Sequence, residues 1–253
     1  MSTNKKVARS RVSGYKGPSL NIPRSILKPG TDFKWSRDVV FDLHNTLVDW
    51  TGPFVRHVNN THGFKIDAKS IGLYHMQFDP DNPMTDEQFL ADFVNFARKA
   101  VDGYGDLPFY KESVATLKSL KDAGLNPKIW TWTPGASDTR PDSNAAGFHY
   151  GVAQGVTKAL VERLGLNANR DLRFMRPGEK KYNMISNHIP LIVEDSSETA
   201  VGVGQTGNVA LLVPQPYNIG ITAPNVVCLD NLSQVGPAVL EFYSELAARD
   251  LLL

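Results

Sequence analysis

Three short apolar runs in this chain each end in oxygen-bearing side chains, and that repetition constrains the fold more than any other feature. They are Asp38-Val39-Val40-Phe41-Asp42, Lys128-Ile129-Trp130-Thr131-Trp132-Thr133 and Leu191-Ile192-Val193-Glu194-Asp195. Apolar runs of this length read as strands buried on both faces. A further run, Val209 to Val213, reads the same way. Helical patterns lie between them. Thr85 with Gln88 three residues later makes a capping box, and Phe89, Leu90, Phe93, Val94, Phe96 and Ala97 then recur on one helical face. Lys111 to Ala123 reads as a helix with Val114, Leu117 and Leu120 inward and Gly124 at its C′ position. Val152 to Leu164 and Pro237 to Ala247 read as two more. Strands alternating with helices predict an α/β fold with a parallel sheet covered on both faces.

At 253 residues the chain suffices for one such domain carrying an inserted piece. Folded chains of that size bury roughly 70 to 75% of the surface they expose when unfolded, so no structural staple is required. The single cysteine, Cys228, excludes an intrachain disulfide and a CxxC metal knuckle, which suits a reducing compartment and predicts a cytoplasmic protein. No run of 18 apolar residues appears, and no apolar stretch follows the basic start, so neither a membrane span nor a secretory signal is expected. The net charge of +1 conceals an asymmetry: residues 1–37 carry nine Lys/Arg against Asp32 alone. Low hydrophobicity and high charge predict a flexible basic arm over residues 1–36. Such an arm either solvates the molecule or binds nucleic acid or an acidic partner by counterion release.

In a doubly wound sheet, ligands gather at the carboxyl ends of the strands. Asp42, the Thr131/Thr133 pair and Glu194-Asp195 all fall there. Acids beside threonines at that edge suit a divalent metal with hard oxygen ligands and an anionic substrate. Taken singly, an Asp after a strand is more often a turn former or a helix cap. Their order along the chain is what gives them weight.

In that order the segments resemble the haloacid dehalogenase superfamily of phosphotransferases, over about residues 37 to 235. Val39-Val40-Phe41-Asp42-Leu43-His44-Asn45-Thr46-Leu47 matches its first motif, an apolar strand followed by DxDxT, with one departure. The strand ending at Thr131 or Thr133 matches the second, Lys180 or Lys181 the third, and Glu194-Asp195 the acidic pair of the fourth. The resemblance implies a Rossmann-like core over 37–50 and 105–253 with a small helical cap inserted at 51–104. It also implies that Asp42 attacks a phosphate to form an aspartyl-phosphate. Mg²⁺ would be held by Asp42, the backbone carbonyl of His44 and Asp195, with Glu194 assisting. The threonine and the lysine would bind phosphate oxygens. Of the threonines, spacing favours Thr131, seven residues after Gly124.

The departure is His44, where phosphatases of the superfamily carry a second aspartate acting as general acid and base. A histidine of ordinary pKa, about 6.5, could do the same proton work. It could also point away and leave a slow enzyme, or mark a different chemistry, and the dehalogenases of the superfamily carry an aromatic residue there. Residues 54–63, Leu107-Pro108-Phe109-Tyr110 and Gln215-Pro216-Tyr217-Asn218 are similar to the 5′(3′)-deoxyribonucleotidase branch. Phe54, Phe78, Phe89 and Phe93 could stack on a base, although aromatics at helical spacing are mostly core. His57, His62 and His75 could contact phosphate or metal, or simply be partly exposed. Gly202, Gly204 and Gly207 spell GxGxxG, but after the fourth motif rather than at a first strand-to-helix turn, which argues against a dinucleotide site. The expected function is Mg²⁺-dependent hydrolysis of a small phosphomonoester, a nucleotide above all. A fold that has lost catalysis and is anchored by its basic arm is one alternative, and a haloacid dehalogenase is another.

Overall fold

The computed structural model of the chain describes residues 32–72, 83–99, 103–132 and 150–253, together with Pro23 and Ile26. Six strands form one sheet: β1 (Asp38–Phe41), β2 (Asn126–Thr131), β3 (Leu172–Phe174), β4 (Leu191–Glu194), β5 (Val209–Leu212) and β6 (Val226–Cys228). Their order is β3-β2-β1-β4-β5-β6, and every neighbouring pair is parallel. The strand period of two divides their side chains cleanly. Val39, Phe41, Ile129, Leu191, Val193, Val209 and Leu211 enter one apolar cluster, whereas Val40, Trp130, Ile192, Ala210 and Leu212 enter another on the opposite face. Neither face meets water, as the continuous apolar runs require.

The helices are α1 (Thr51–His62), α2 (Asp86–Arg98), α3 (Ser113–Asp122), α4 (Tyr150–Arg163), α5 (Ala168–Asp171), α6 (Pro177–Ser186), α7 (Ser197–Gly204) and α8 (Val235–Ala248). Leu117 and Leu120 of α3, Leu160 of α4 and Phe242 of α8 fill the first cluster, while Met184 of α6 and Val203 of α7 fill the second. Each such fully buried aliphatic or aromatic side chain contributes roughly 1.5–3 kcal/mol. Val114, expected inward, is instead 44% exposed. Helix α3 begins at Ser113, so the inward face is Ser113, Leu117 and Leu120 at i, i+4 and i+7, and Val114 lies a hundred degrees round from it. The Ser113 hydroxyl donates to the Leu47 carbonyl at 2.7 Å, which fixes that register. Gly124 takes the left-handed conformation expected of it, with φ +81°.

Strands β3 and β6 escape the sequence reading because each is three residues long and lies at an edge of the sheet. The capping box of α2 is present, with Thr85 Oγ1 accepting from Gln88 N and Gln88 Oε1 from Thr85 N. Phe54 is wholly buried against Trp50, Phe89, Phe93 and Phe96, so it is core and not a free stacking surface. Phe78 and His75 lie outside the described residues. Of the GxGxxG glycines, Gly204 is required by packing, since a Cβ there would lie 2.3 Å from the Pro224 carbonyl oxygen. Gly207 turns the chain into β5 with φ +87°.

Residues 33–37, which charge alone groups with the basic arm, are tied to the far end of the chain. Trp35 N donates to Leu251 O at 2.7 Å and Leu253 N to Trp35 O at 2.9 Å. Among the described residues no helix is long and apolar enough to cross a membrane.

Candidate active site

Strand order reverses at β1, which pairs with β2 on one side and β4 on the other. The crevice at such a switch point is where a doubly wound sheet can hold a ligand. Asp42 leaves the end of β1, its N–H donating to Val193 O at 2.9 Å, and Glu194 and Asp195 leave the end of the adjacent β4. Carboxylate oxygens of all three lie within 4.8 Å of one another, and all three residues are buried. Lys180, the fourth residue of α6 and 2% exposed, reaches between two of them. Its Nζ donates to Asp42 Oδ1 at 2.6 Å and to Glu194 Oε2 at 2.8 Å.

The electrostatics of this cluster are strained towards a cation. Burial lifts Glu194 to about 7, against the attraction of Lys180 and with Asp42 adding its repulsion. Burial likewise raises Asp195 well above the carboxylate range, and the charges on Glu194 and Asp42 push the same way. Lys180 is held protonated despite burial, because Asp42 and Glu194 surround it. One ammonium serves three acids, so burial drives Glu194 and Asp195 towards their protonated forms, and full ionisation of the cluster would leave a deficit of positive charge. A divalent ion with hard oxygen ligands fits that deficit.

The loop after β1 is built to aim these groups. Asn45 adopts φ +53°, a left-handed turn that asparagine tolerates. Its Oδ1 accepts from Trp50 N and Thr51 N, which caps the start of α1, while its Nδ2 donates to the Tyr217 hydroxyl at 3.0 Å. Tyr217 in turn donates to Asp195 Oδ2 at 2.5 Å, and Thr46 donates to Asp195 Oδ1 at 3.3 Å. Asn218 Nδ2 donates to the Asp195 and Val213 carbonyls, and Gln215 Nε2 to the Asn45 carbonyl at 2.7 Å. The Gln215-Pro216-Tyr217-Asn218 segment is thus a clamp on Asp195 and on the Asn45 turn.

Several solved structures are similar to this architecture. A haloacid dehalogenase-like hydrolase from Bacteroides fragilis superposes with a TM-score of 0.53 at 15% identity, over 79% of this chain and 99% of its own. The fold is that of the haloacid dehalogenase-like hydrolases. Structures described as haloacid dehalogenase-like family proteins from Streptococcus pneumoniae (TM-score 0.50, 14% identity, 83% of this chain and 98% of that one) and Xanthomonas campestris (0.50, 12%, 85% and 99%) have a similar fold. No family model matches the sequence, and no curated protein does.

On this haloacid dehalogenase-like frame, the sequence-named residues separate. Asp42, Glu194, Asp195 and Lys180 converge. Lys181, one residue further round α6, lies against the Tyr182 ring, 5.0 Å from its centroid, and beside Gly202 rather than at Asp42. Thr131 is fully buried at the end of β2, with its Oγ1 3.3 Å from His44 Nδ1, whereas Thr133 lies outside the described residues. The other ring nitrogen of His44 meets the Tyr104 hydroxyl. Desolvation pushes the His44 imidazole down to about 4, opposed by Asp42 and aided by Lys180. His57 and His62 stand apart from this site, in α1, where His62 Nε2 meets Asp92 Oδ2 of α2 at 2.5 Å. Sequence reasoning gave Tyr104 no role. Its only signal was a buried-type aromatic just before the Leu107 segment.

Proposed function

We propose that this chain is a phosphomonoester hydrolase that works through Asp42 and a divalent metal, Mg²⁺ by the chemistry of its donors. One observation carries the reading: three buried carboxylates at the switch point, with Lys180 as their only described ammonium partner. Asp42, Asp195 and the backbone carbonyl of His44 would hold the metal, with Glu194 keeping Lys180 in place. Bound there, the ion supplies positive charge that offsets the repulsion between Asp42 and an incoming phosphate. An Asp42 carboxylate oxygen attacks phosphorus, the P–O bond to the leaving group breaks, and the departing alkoxide takes a proton. Water then attacks the aspartyl-phosphate, releasing inorganic phosphate and restoring Asp42. Lys180 and Thr131 bind the phosphoryl oxygens as their charge redistributes. The helices inserted at 51–104 would cover this edge and select the substrate. The Gln215-Pro216-Tyr217-Asn218 segment and its likeness to the deoxyribonucleotidase branch support nucleoside monophosphates as that substrate.

A dehalogenase uses the same nucleophile, but it must cradle a departing halide. Glu194 and Asp195 beside Asp42 would repel a halide or a haloacid anion as they would an unshielded phosphate, so the assay has to separate the two chemistries. The test is release of phosphate from nucleoside monophosphates, sugar phosphates and p-nitrophenyl phosphate, with Mg²⁺ or EDTA, alongside release of chloride from a 2-chloroacid. Metal-dependent phosphate release that falls to background in Asp42→Asn is the expected outcome. Chloride release without added metal would overturn it in favour of the dehalogenase. A protein that releases neither would point to the non-catalytic alternative.

A further inference from the structure

Between α6, α7 and the segment joining β5 to β6 lies a cavity of about 460 Å³ that the hydrolase reading does not use. The first turns of both helices line it. Gly178 is the second residue of α6, and Ser197 and Glu198 are the first two of α7. First-turn N–H groups find no acceptor within their own helix. Ser196 Oγ accepts from the Thr199 N–H at 3.3 Å, but the N–H groups of Gly178, Ser197 and Glu198 have no acceptor among the described residues. Lys181 of α6 adds an ammonium, which lies over the Tyr182 ring and has no ion pair among the described residues. Lys180, its neighbour in sequence, turns instead to Asp42 and Glu194, so the cavity and the acidic cluster face different sides of α6.

Two further observations bear on an occupant. Thr199, 6% exposed, also lines the cavity, and its buried hydroxyl has no hydrogen-bond partner among the described residues. Buried hydroxyls are seldom left in that state. Glycine, moreover, keeps the walls apart: a Cβ at Gly178 would meet nothing within 4 Å, and one at Gly202 only Lys181 Cδ, at 3.7 Å. Neither glycine has a left-handed φ, so their missing side chains leave room rather than relieve strain. Beyond the first turn the lining becomes apolar at Val201 and Ile221, and Gln205 stands about 12 Å along α7 from Ser197.

We propose that this cavity is a second ligand site, separate from the acidic cluster, which takes a small molecule carrying a phosphate or carboxylate group on an apolar body. The anionic group draws on the Ser197 and Glu198 N–H groups, the Gly178 N–H and the Lys181 ammonium, as anions do at helix amino ends. A ligand oxygen supplies the partner that the Thr199 hydroxyl lacks, and the apolar body lies against Val201 and Ile221. The exposed carboxylate of Glu198 opposes such a ligand and limits its affinity.

The test does not depend on the hydrolase reading. In EDTA, the nitrogen-15-labelled full chain is titrated with phenylphosphonate, with benzoate, and with benzyl alcohol as the uncharged control. Saturable shifts of the Ser197, Glu198 and Gly202 amides are expected with at least one of the two anions and not with the alcohol, and the tighter anion identifies the head group. Lys181→Gln should weaken binding about tenfold, the effect of one lost charged hydrogen bond. Thr199→Val should weaken it less, and Glu198→Gln should tighten it. Gly202→Leu, which fills the cavity and favours the helix, should abolish binding, whereas Asp42→Asn should leave it unchanged. No saturable shift at these amides, equal binding of the alcohol, or an affinity that survives Gly202→Leu in a protein of wild-type circular dichroism overturns the proposal. An affinity that Asp42→Asn changes as much as Lys181→Gln does would place the anion at the acidic cluster and overturn it too. Should Gly202→Leu not fold, the opposite signs expected of Lys181→Gln and Glu198→Gln decide the matter.

Discussion

Asp195 is held by side chains from two distant parts of the sequence: Thr46 on Oδ1, Tyr217 on Oδ2, and Asn218 on its carbonyl. A carboxylate fixed at both oxygens can present only one geometry to an ion, and groups that orient metal ligands typically govern affinity by 10- to 100-fold. Tyr217→Phe removes one hydroxyl and little volume. It should therefore raise the Mg²⁺ concentration needed for half-maximal activity by roughly 10-fold or more, with circular dichroism and melting close to wild type. Activation by Mg²⁺ at unchanged concentrations would remove Tyr217 from the site. This residue also marks how far the sequence could be read. Gln215-Pro216-Tyr217-Asn218 stood out by resemblance, but its task needs the fold, because its partners Asn45 and Asp195 lie 172 and 22 positions away. The choice between Lys180 and Lys181 is of the same kind: adjacent helical positions differ by a hundred degrees, and only the docking of α6 on the sheet decides which faces Asp42.

Among the elements, α5 is the one whose stability is written in charge. It is four residues long, too short to hold itself, and is fastened by the buried Asp171 at its last position. Asp171 accepts from Lys128 Nζ of β2 at 2.8 Å, from Arg170 and from Asn167 N. Burial alone would raise its pKa, but these donors outweigh it and hold the carboxyl well below the usual range. The unfolded chain titrates near 3.9. Since the folded value is lower, this stabilisation is complete above about pH 5 and is lost as pH falls through and below about 4, where the unfolded chain takes up the proton first. Urea midpoints should therefore drop between pH 5 and 3, and Asp171→Asn should be less stable at pH 7 with a shallower drop. A variant whose acid dependence matches wild type would exclude Asp171 as its source. The long strands were legible because β1, β2, β4 and β5 are apolar runs bounded by polar groups. Between β2 and β4, helix α4 was legible over Val152 to Leu164, but α5 and β3 were not, since together they span seven residues and offer no period to read.

For the whole molecule, one parallel sheet with a reversal at β1 brings the carboxyl ends of β1 and β4 side by side, and this unites Asp42 with the distant Glu194 and Asp195 in one site. Sequence order could predict that union because strands in such sheets share a direction. It could not predict how the molecule closes on itself at residues 33–37 and 250–253. There, besides the two backbone bonds of Trp35, Arg37 Nε donates to Leu253 O at 2.8 Å, Lys34 pairs with Asp250, and Trp35, Leu251 and Leu252 pack on the core. Removing residues 251–253 abolishes the three hydrogen bonds to Trp35 and Arg37, worth about 1 kcal/mol each, together with the Leu251 N–H bond to the Leu246 carbonyl, and uncovers apolar surface, so the loss should be about 3 kcal/mol or more in urea unfolding. Trp35→Ala spares the backbone bonds and should cost less, about 2 kcal/mol, since its indole is only partly buried and a fully buried Trp costs about 3–5. Removing residues 1–22 instead deletes five of the nine basic residues of the first 37 yet leaves every one of these contacts, and should change stability by less than about 0.5 kcal/mol. Equal losses from the two terminal deletions would mean that the basic segment is part of the folded unit. Separation of the two effects would place the edge of the folded unit between residues 22 and 33, and would leave the basic segment available to bind an anionic partner without cost to the fold.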